Sequence, residues 1–201
     1  MYKNVIFDFG QVIVRFDPLY MTKKYLNNEE DINLVMQVVF DRLYWDRLDM
    51  GSITDQELKA EVCKRLPENL HKSAIAVYDH WYENIPLIDG ICELLTELKE
   101  NGTKLYLLSN ISVGFAENYH KNPEIKKILE LFDGLVFSGK LRIVKPDFEI
   151  FRHITEKYRL SKNSTLFVDD NIANIKGAQN FGIEGYLFDG DVKALRKFLR
   201  G

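Results

Sequence analysis

Short apolar runs that stop at a polar residue constrain the fold of this chain more than any other feature. Three runs do this: Val5-Ile6-Phe7 before Asp8, Leu105 to Leu108 before Ser109, and Leu166 to Val168 before Asp169. Such runs are typical of parallel strands that are buried on both faces. Weaker runs at Leu135 to Phe137 and Tyr186 to Phe188 bring the predicted number of strands to five.

Helical segments lie between several of these strands and predict an α/β sheet wrapped by helices. Ile91 to Glu100 and Phe148 to Tyr158 are amphipathic at the helical period. Between Asp17 and Pro86 the helical period continues without a convincing strand, and Thr54 to Glu57 fits a capping box. The change of period predicts a core domain of residues 1–16 and 87–201 with an all-helical insertion at 17–86.

The charge and composition of the chain limit its partners. The 201 residues contain 27 Lys and Arg against 30 Asp and Glu, so the net charge is −3. This balance gives no basic field for nucleic acid or anionic lipid, and no apolar stretch reaches the roughly 18 residues of a membrane helix. Cys63 and Cys92 show no close pairing, which argues against a disulfide framework or a zinc site. We therefore expect a cytoplasmic protein without a nucleic-acid or membrane partner.

Polar residues at the ends of the predicted strands are the first candidates for chemistry, because ligands of open α/β sheets bind beyond the carboxyl ends of the strands. Each motif alone also fits turn or capping chemistry. The order of all four motifs along the chain is a far more specific sign of a functional site than any one of them. The residues in question are Asp8-Phe9-Gly10, Ser109-Asn110, Lys145 and Asp169-Asp170-Asn171.

This order of motifs resembles the haloacid dehalogenase superfamily, whose members are mostly phosphatases. Asp8 matches the nucleophile of the first motif, Ser109 the second motif, and Lys145 the third. Phe167 to Asn171, followed by Asn174 and Gly177-Ala178, matches the fourth. Phosphatases of α-D-glucose 1-phosphate and the phosphatase domain of soluble epoxide hydrolases are similar in the fourth motif. The resemblance implies a Rossmann-like core with an inserted α-helical cap at residues 17–86 and the nucleophile strand at the sheet centre.

The resemblance also implies roles for individual residues in phosphoryl transfer. Asp8 would attack phosphorus and form an aspartyl-phosphate. Mg²⁺ would be held by the Asp8 carboxylate, the Gly10 carbonyl, Asp170 and waters. The phosphate oxygens would be held by Ser109, Asn110 and Lys145. Asp169 would orient Lys145 or a metal-bound water rather than coordinate the metal directly, and Asn174 would support the site.

The chain departs from the usual phosphatase pattern at Gly10. Most phosphatases of the superfamily have a second Asp two residues after the nucleophile, which protonates the leaving group and activates water. General acid-base help of this kind contributes about 10²- to 10⁴-fold in rate. The glucose 1-phosphate phosphatases are similar in having glycine here, followed by an amide residue like Gln11. Gln11 would orient the hydrolytic water or serve the turn after the first strand.

The predicted cap carries a stretch that mixes aromatic and charged residues, Phe40 to Arg47. Tyr44, Trp45 and Arg47 suit a surface that stacks on a sugar and bonds its hydroxyls, although core packing also explains the aromatic residues. We therefore predict an Mg²⁺-dependent phosphatase, monomeric or homodimeric, whose partner is a small phosphorylated substrate, with a sugar phosphate such as a sugar 1-phosphate first. The alternatives are a dehalogenase without metal and a phosphate-binding regulatory protein without turnover.

Overall fold

A five-stranded parallel sheet forms the centre of the protein. We describe it from a computed structural model, in which residues 2–83 and 85–200 are described. The strands are β1 (Asn4–Phe7), β2 (Lys104–Ser109), β3 (Gly134–Phe137), β4 (Thr165–Asp169) and β5 (Glu184–Leu187). They pair in parallel in the order β3-β2-β1-β4-β5. The predicted α/β class and the central position of the first strand are confirmed.

Alternating residues along the strands fill two separate hydrophobic clusters, one on each face of the sheet. Val5 and Phe7 of β1 belong to the larger cluster, whereas Ile6 belongs to the smaller one. All three side chains are fully buried. Continuous apolar runs are therefore needed on the inner strands, which is why those runs stand out in the sequence. The edge strand β5 is half-exposed and contains Gly185, so its pattern is weaker and its predicted position lies one to two residues too late.

In the described residues, six helices of the core lie between its strands and a seventh follows the last strand. They are α6 (Ile91–Glu100), α7 (Val113–Asn118), α8 (Pro123–Leu129), α9 (Ser138–Leu141), α10 (Phe148–Tyr158), α11 (Ile172–Phe181) and α12 (Val192–Arg200), numbered after five helices that precede them in the chain. The predicted helices at 91–100 and 148–158 are confirmed. None of the helices in the described part of the chain is long and apolar enough to cross a membrane.

The five earlier helices fall inside the segment predicted to be an insertion. They are α1 (Pro18–Thr22), α2 (Glu29–Val39), α3 (Arg42–Asp49), α4 (Asp55–Arg65) and α5 (Glu68–Asp79), followed by a 3₁₀ turn at Trp81–Glu83. The capping box of α4 is present: Glu57 N–H donates to Thr54 Oγ1 at 3.2 Å, and Thr54 N–H donates to Glu57 Oε2 at 2.7 Å. We refer to residues 17–86 as the cap; the boundaries of the two units stay a prediction.

The cap joins the core through two neighbouring segments of chain. Arg15 N–H donates to the Pro86 carbonyl at 2.8 Å, and Ile88 N–H donates to the Ile13 carbonyl at 2.9 Å. At a second place, the end of α3 rests on the core helix α9. There the Ser138 hydroxyl donates to the carbonyl of Asp49 at 2.5 Å. These contacts place α3 over the carboxyl ends of the central strands.

Candidate active site

The predicted motif residues meet at the carboxyl edge of the central strands. Asp8 follows β1, Ser109 ends β2, and Asp169 ends β4, and these three strands are neighbours in the sheet. A cavity of ≈ 220 Å³ opens between this edge and the cap. Of the predicted core residues, it is lined by Asp8, Gly10, Gln11, Ser109, Asn110, Lys145, Asp170 and Asn174.

Lys145 links two of the carboxylates at the bottom of this cavity. Its Nζ lies 2.6 Å from Asp8 Oδ1 and 2.7 Å from Asp169 Oδ2, and its side chain is 1% exposed. Asn110 fixes the backbone at this position, because Lys145 N–H donates to Asn110 Oδ1 at 2.7 Å and Asn110 Nδ2 donates to the Lys145 carbonyl at 3.0 Å. The Asn110 side chain thus holds Lys145 in place, and its predicted contact with phosphate stays a prediction.

Asp169 is fully buried and surrounded by donors. In addition to Lys145, Asn174 Nδ2 donates to both of its oxygens at 3.0 and 3.1 Å, and Asn171 N–H donates to Oδ1 at 2.8 Å. Of the two roles that the sequence left open for Asp169, this geometry favours the orientation of Lys145. Asn174, predicted as a supporting residue, acts on Lys145 through Asp169.

The carboxylates of Asp8, Asp169 and Asp170 form a group whose ligand oxygens all lie within 4.8 Å of one another. Three carboxylates and one lysine leave excess negative charge, which a divalent cation would offset. Burial raises the pKa of the Asp8 carboxyl to about 7, and the attraction of Lys145 offsets only part of this increase. Oxygen ligands of this type suit Mg²⁺. Since the oxygens of Asp169 already accept bonds from protein donors, Asp8 and Asp170 fit best as direct ligands.

The turn after Asp8 accounts for the position of the Gln11 side chain, and it leaves space for a side chain at position 10. Gln11 has a positive φ of 56°, and its side-chain Nε2 donates to the Phe16 carbonyl at 3.0 Å. Of its two open roles, the geometry favours the turn. A β-carbon built on Gly10 would meet nothing within 4 Å. A side chain at this position therefore has room in the cavity.

The cap wall of the cavity differs in part from the prediction. Trp45 lines the cavity, but Tyr44 and Arg47 lie in a separate groove on the cap. The reason is the helical period, since residues at spacing i, i+3 and i+7 share a face of α3. That face carries Arg42, Trp45 and Asp49, and all three line the cavity.

Aromatic packing fixes the position of Trp45 in this wall. Its ring centroid lies 5.6 Å from that of Phe16 and 5.6 Å from that of Trp81, and both of these residues also line the cavity. Trp45 therefore both packs and lines the site. Arg42 and Asp49 were missed by the sequence analysis, although their spacing from Trp45 on one helix was a usable signal.

A comparison with protein families decides the relationship that these motifs suggest. The family model described as haloacid dehalogenase-like hydrolase matches residues 2–182. The chain belongs to the haloacid dehalogenase-like hydrolases. The expected family membership and the expected hydrolase class are thereby confirmed.

Two curated relatives of this hydrolase have phosphatase names. The chain is 27% identical over 185 residues to the sesquiterpene phosphatase astK of Aspergillus oryzae, which covers 92% of this chain and 88% of the relative. It is 26% identical over 196 residues to a D-ribitol-5-phosphate phosphatase of Bacteroides thetaiotaomicron, which covers 92% of this chain and 91% of the relative. These matches support a phosphatase.

A solved structure supports the same fold and the metal. The magnesium complex of a HAD family enzyme from Bacteroides thetaiotaomicron superposes with a TM-score of 0.72 at 26% identity, covering 96% of this chain and 98% of that one. The same enzyme has also been solved with magnesium and inorganic phosphate. Together with the acidic group of our haloacid dehalogenase-like chain, these complexes support Mg²⁺ as its cofactor.

Proposed function

We propose that this chain is an Mg²⁺-dependent phosphatase that hydrolyses a small phosphorylated metabolite through an aspartyl-phosphate at Asp8. One observation carries the proposal: Lys145 is held against Asp8 at 2.6 Å at the floor of a cavity that also contains Asp170. A carboxylate can attack a phosphate dianion only where positive charge offsets the repulsion between them. The buried Lys145 and a cation site beside Asp8 provide that charge.

Each motif residue has a part in this mechanism. Asp8 is oriented for attack by Lys145, and Lys145 is held by Asp169 and Asn110. Ser109 is 2% exposed and lines the cavity, and we assign its hydroxyl to a phosphate oxygen. Asp8 and Asp170 would hold Mg²⁺ together with the Gly10 carbonyl. When bound, the cation supplies charge neutralisation for the phosphate and the carboxylates.

We propose a sugar phosphate as the substrate, with sugar 1-phosphates first. The cavity combines an aromatic side, formed by Phe16, Trp45 and Trp81, with the polar groups of Arg42 and Asp49. Such a surface can stack on a ring and bond its hydroxyls. The two curated phosphatase relatives are named for different substrates, a sesquiterpene and a pentitol phosphate, so both classes belong in the substrate panel. We further propose a cytoplasmic monomer or homodimer.

The dehalogenase alternative would have Asp8 displace halide from carbon without metal. It leaves the excess negative charge of Asp8, Asp169 and Asp170, which Lys145 alone does not balance, without a divalent cation, and Gly10 stands where such enzymes typically have an aromatic residue. The regulatory alternative would keep the site and lack turnover.

Measuring phosphate and halide release from a metabolite panel separates the three functions. The panel contains sugar 1- and 6-phosphates, ribitol 5-phosphate, a sesquiterpenyl monophosphate and a 2-haloacid, each with Mg²⁺ and with EDTA. We expect Mg²⁺-dependent phosphate release that Asp8→Asn abolishes, because an amide is neither nucleophilic nor anionic. Halide release in EDTA would support the dehalogenase, and no turnover at all would support the regulatory protein.

A further inference from the structure

The carboxylate of Asp49 lines the cavity and has no part in the phosphoryl-transfer steps proposed above. The residue is 8% exposed and lines the cavity from the cap side. Within residues 2–83 and 85–200, no hydrogen bond or ion pair of this carboxylate is found, whereas Asp8 and Asp169 are both bonded to Lys145. An ionisable group buried in a cleft without a partner destabilises the fold, and such groups concentrate at functional sites.

The fold holds Asp49 firmly in this position. It is the last residue of α3, and its backbone carbonyl accepts the 2.5 Å bond from the Ser138 hydroxyl. Two residues later, Gly51 turns with a φ of 64° and packs so closely on Gly139 that a β-carbon there would collide with the Gly139 carbonyl. The end of α3 is therefore fixed to the core, and Asp49 lines the cavity from this end of the helix.

The charges around Asp49 favour its protonated form. Burial is the largest factor and raises the pKa of the Asp49 carboxyl well above its usual value. Asp46 on the same helix and Asp8, which follows β1, raise the pKa further, while Arg42 and Lys145 lower it. A carboxyl group whose pKa is raised in this way keeps its proton to higher pH than an ordinary aspartate, as a general acid requires.

We propose that Asp49 is the general acid and base of the phosphatase reaction, acting from the cap in place of the carboxylate that Gly10 lacks. The inference rests on the proposed function. In phosphoryl transfer the attacking and leaving oxygens lie roughly in line through phosphorus. With Asp8 attacking from the sheet edge, the leaving oxygen points toward the cap, where Asp49 lies.

The two half-reactions balance with Asp49 as proton carrier. In the first, an Asp8 oxygen bonds to phosphorus, the bond from phosphorus to the leaving oxygen breaks, and that oxygen takes the proton of Asp49. In the second, a water oxygen bonds to phosphorus while the Asp49 carboxylate takes a water proton. The bond from Asp8 to phosphorus then breaks, its electron pair returns to the Asp8 carboxylate, and inorganic phosphate leaves.

The test is a leaving-group series on the Mg²⁺-loaded protein, using aryl phosphates from p-nitrophenyl to unsubstituted phenyl and a simple alkyl phosphate. For Asp49→Asn we expect kcat/KM to fall by less than about threefold on p-nitrophenyl phosphate and by about 10²- to 10⁴-fold on the alkyl phosphate. The alkaline limb of the kcat/KM pH profile should also disappear. Asp31→Asn, on α2 and outside the cavity lining, is the matched control and should leave the series unchanged.

A second variant keeps the test valid if Asp49→Asn weakens the cap. Gly10→Asp has room for its side chain, so adding it to Asp49→Asn should restore at least about tenfold of the rate on the alkyl phosphate. An equal loss on all leaving groups, with no rescue by Gly10→Asp, would show that Asp49 is structural and would overturn the inference alone. If the wild-type protein releases phosphate neither from the aryl and alkyl phosphates nor from the metabolite panel, the proposed function and this inference both fail.

Discussion

Replacing Lys145 by Met should destabilise the metal-free protein strongly, because it removes the buried cation that two carboxylates share. Met keeps most of the side-chain volume, so the change isolates the charge. The Lys145 side chain is 1% exposed, and the side chains of its partners Asp8 and Asp169 are 12% and 0% exposed. Breaking a buried ion pair by removing one partner costs about 3–5 kcal/mol of the free energy of unfolding. For a chain of this length, that corresponds to a decrease in Tm of about 6–20 °C.

A double-mutant cycle with Asp8→Asn tests the cause of this loss. Once Asp8 is neutral, Lys145→Met leaves only one buried carboxylate unpaired, so the cost of the substitution should fall by at least about 1 kcal/mol. Thermal and urea unfolding in EDTA at neutral pH provide the measurement, with the exposed Lys140→Met as the control. A loss below about 1 kcal/mol for Lys145→Met, or strictly additive single variants, would refute the assignment of Lys145 as the shared counter-charge.

Three further predictions concern the cation, the cap and the leaving group. The Mg²⁺ concentration needed for half-maximal activity should be at least about tenfold higher in Asp170→Asn than in Asp169→Asn. Equal Mg²⁺ requirements in the two variants would show that Asp170 is not a direct ligand. Arg42→Gln should change the ranking of substrates more than the rate on a generic aryl phosphate, whereas Arg47→Gln on the other face of α3 should change neither; a uniform loss in Arg42→Gln would indicate a packing role. Sugar 1-phosphates should turn over faster than the matching 6-phosphates, because an anomeric oxygen is a less basic leaving group, and equal rates would show that contacts in the cap set the choice.

The core of the site was predictable because its residues are tied to the ends of strands. In a parallel sheet, a polar residue that follows a buried run reaches the same edge as its counterparts, so Asp8, Ser109 and Asp169 could be placed together without coordinates. Lys145 is in a connecting segment and was placed only through the order of the motifs. The two hydrogen bonds between its backbone and the Asn110 side chain could not be foreseen, because they depend on how two loops pack.

The cap was less predictable, because a helix presents different residues to different surroundings. The sequence singled out Tyr44, Trp45 and Arg47 by composition, but only the face that packs over the sheet contributes to the cavity. Which face this is depends on the contact between the end of α3 and Ser138, which lies about 90 residues away in the chain. The burial of Asp49 follows from the same contact.

The paired connections between core and cap have a mechanical consequence. The bonds from Arg15 to Pro86 and from Ile88 to Ile13 join the entering and leaving segments into one narrow strip. Rotation of the cap about this strip would break the bond from Ser138 to Asp49 and the bond from Asn122 to the Tyr82 carbonyl. Substrate entry by this motion would withdraw Asp49 while leaving Asp8, Lys145 and Asp169 in register, so that proton transfer would be available only when the two units are closed on each other.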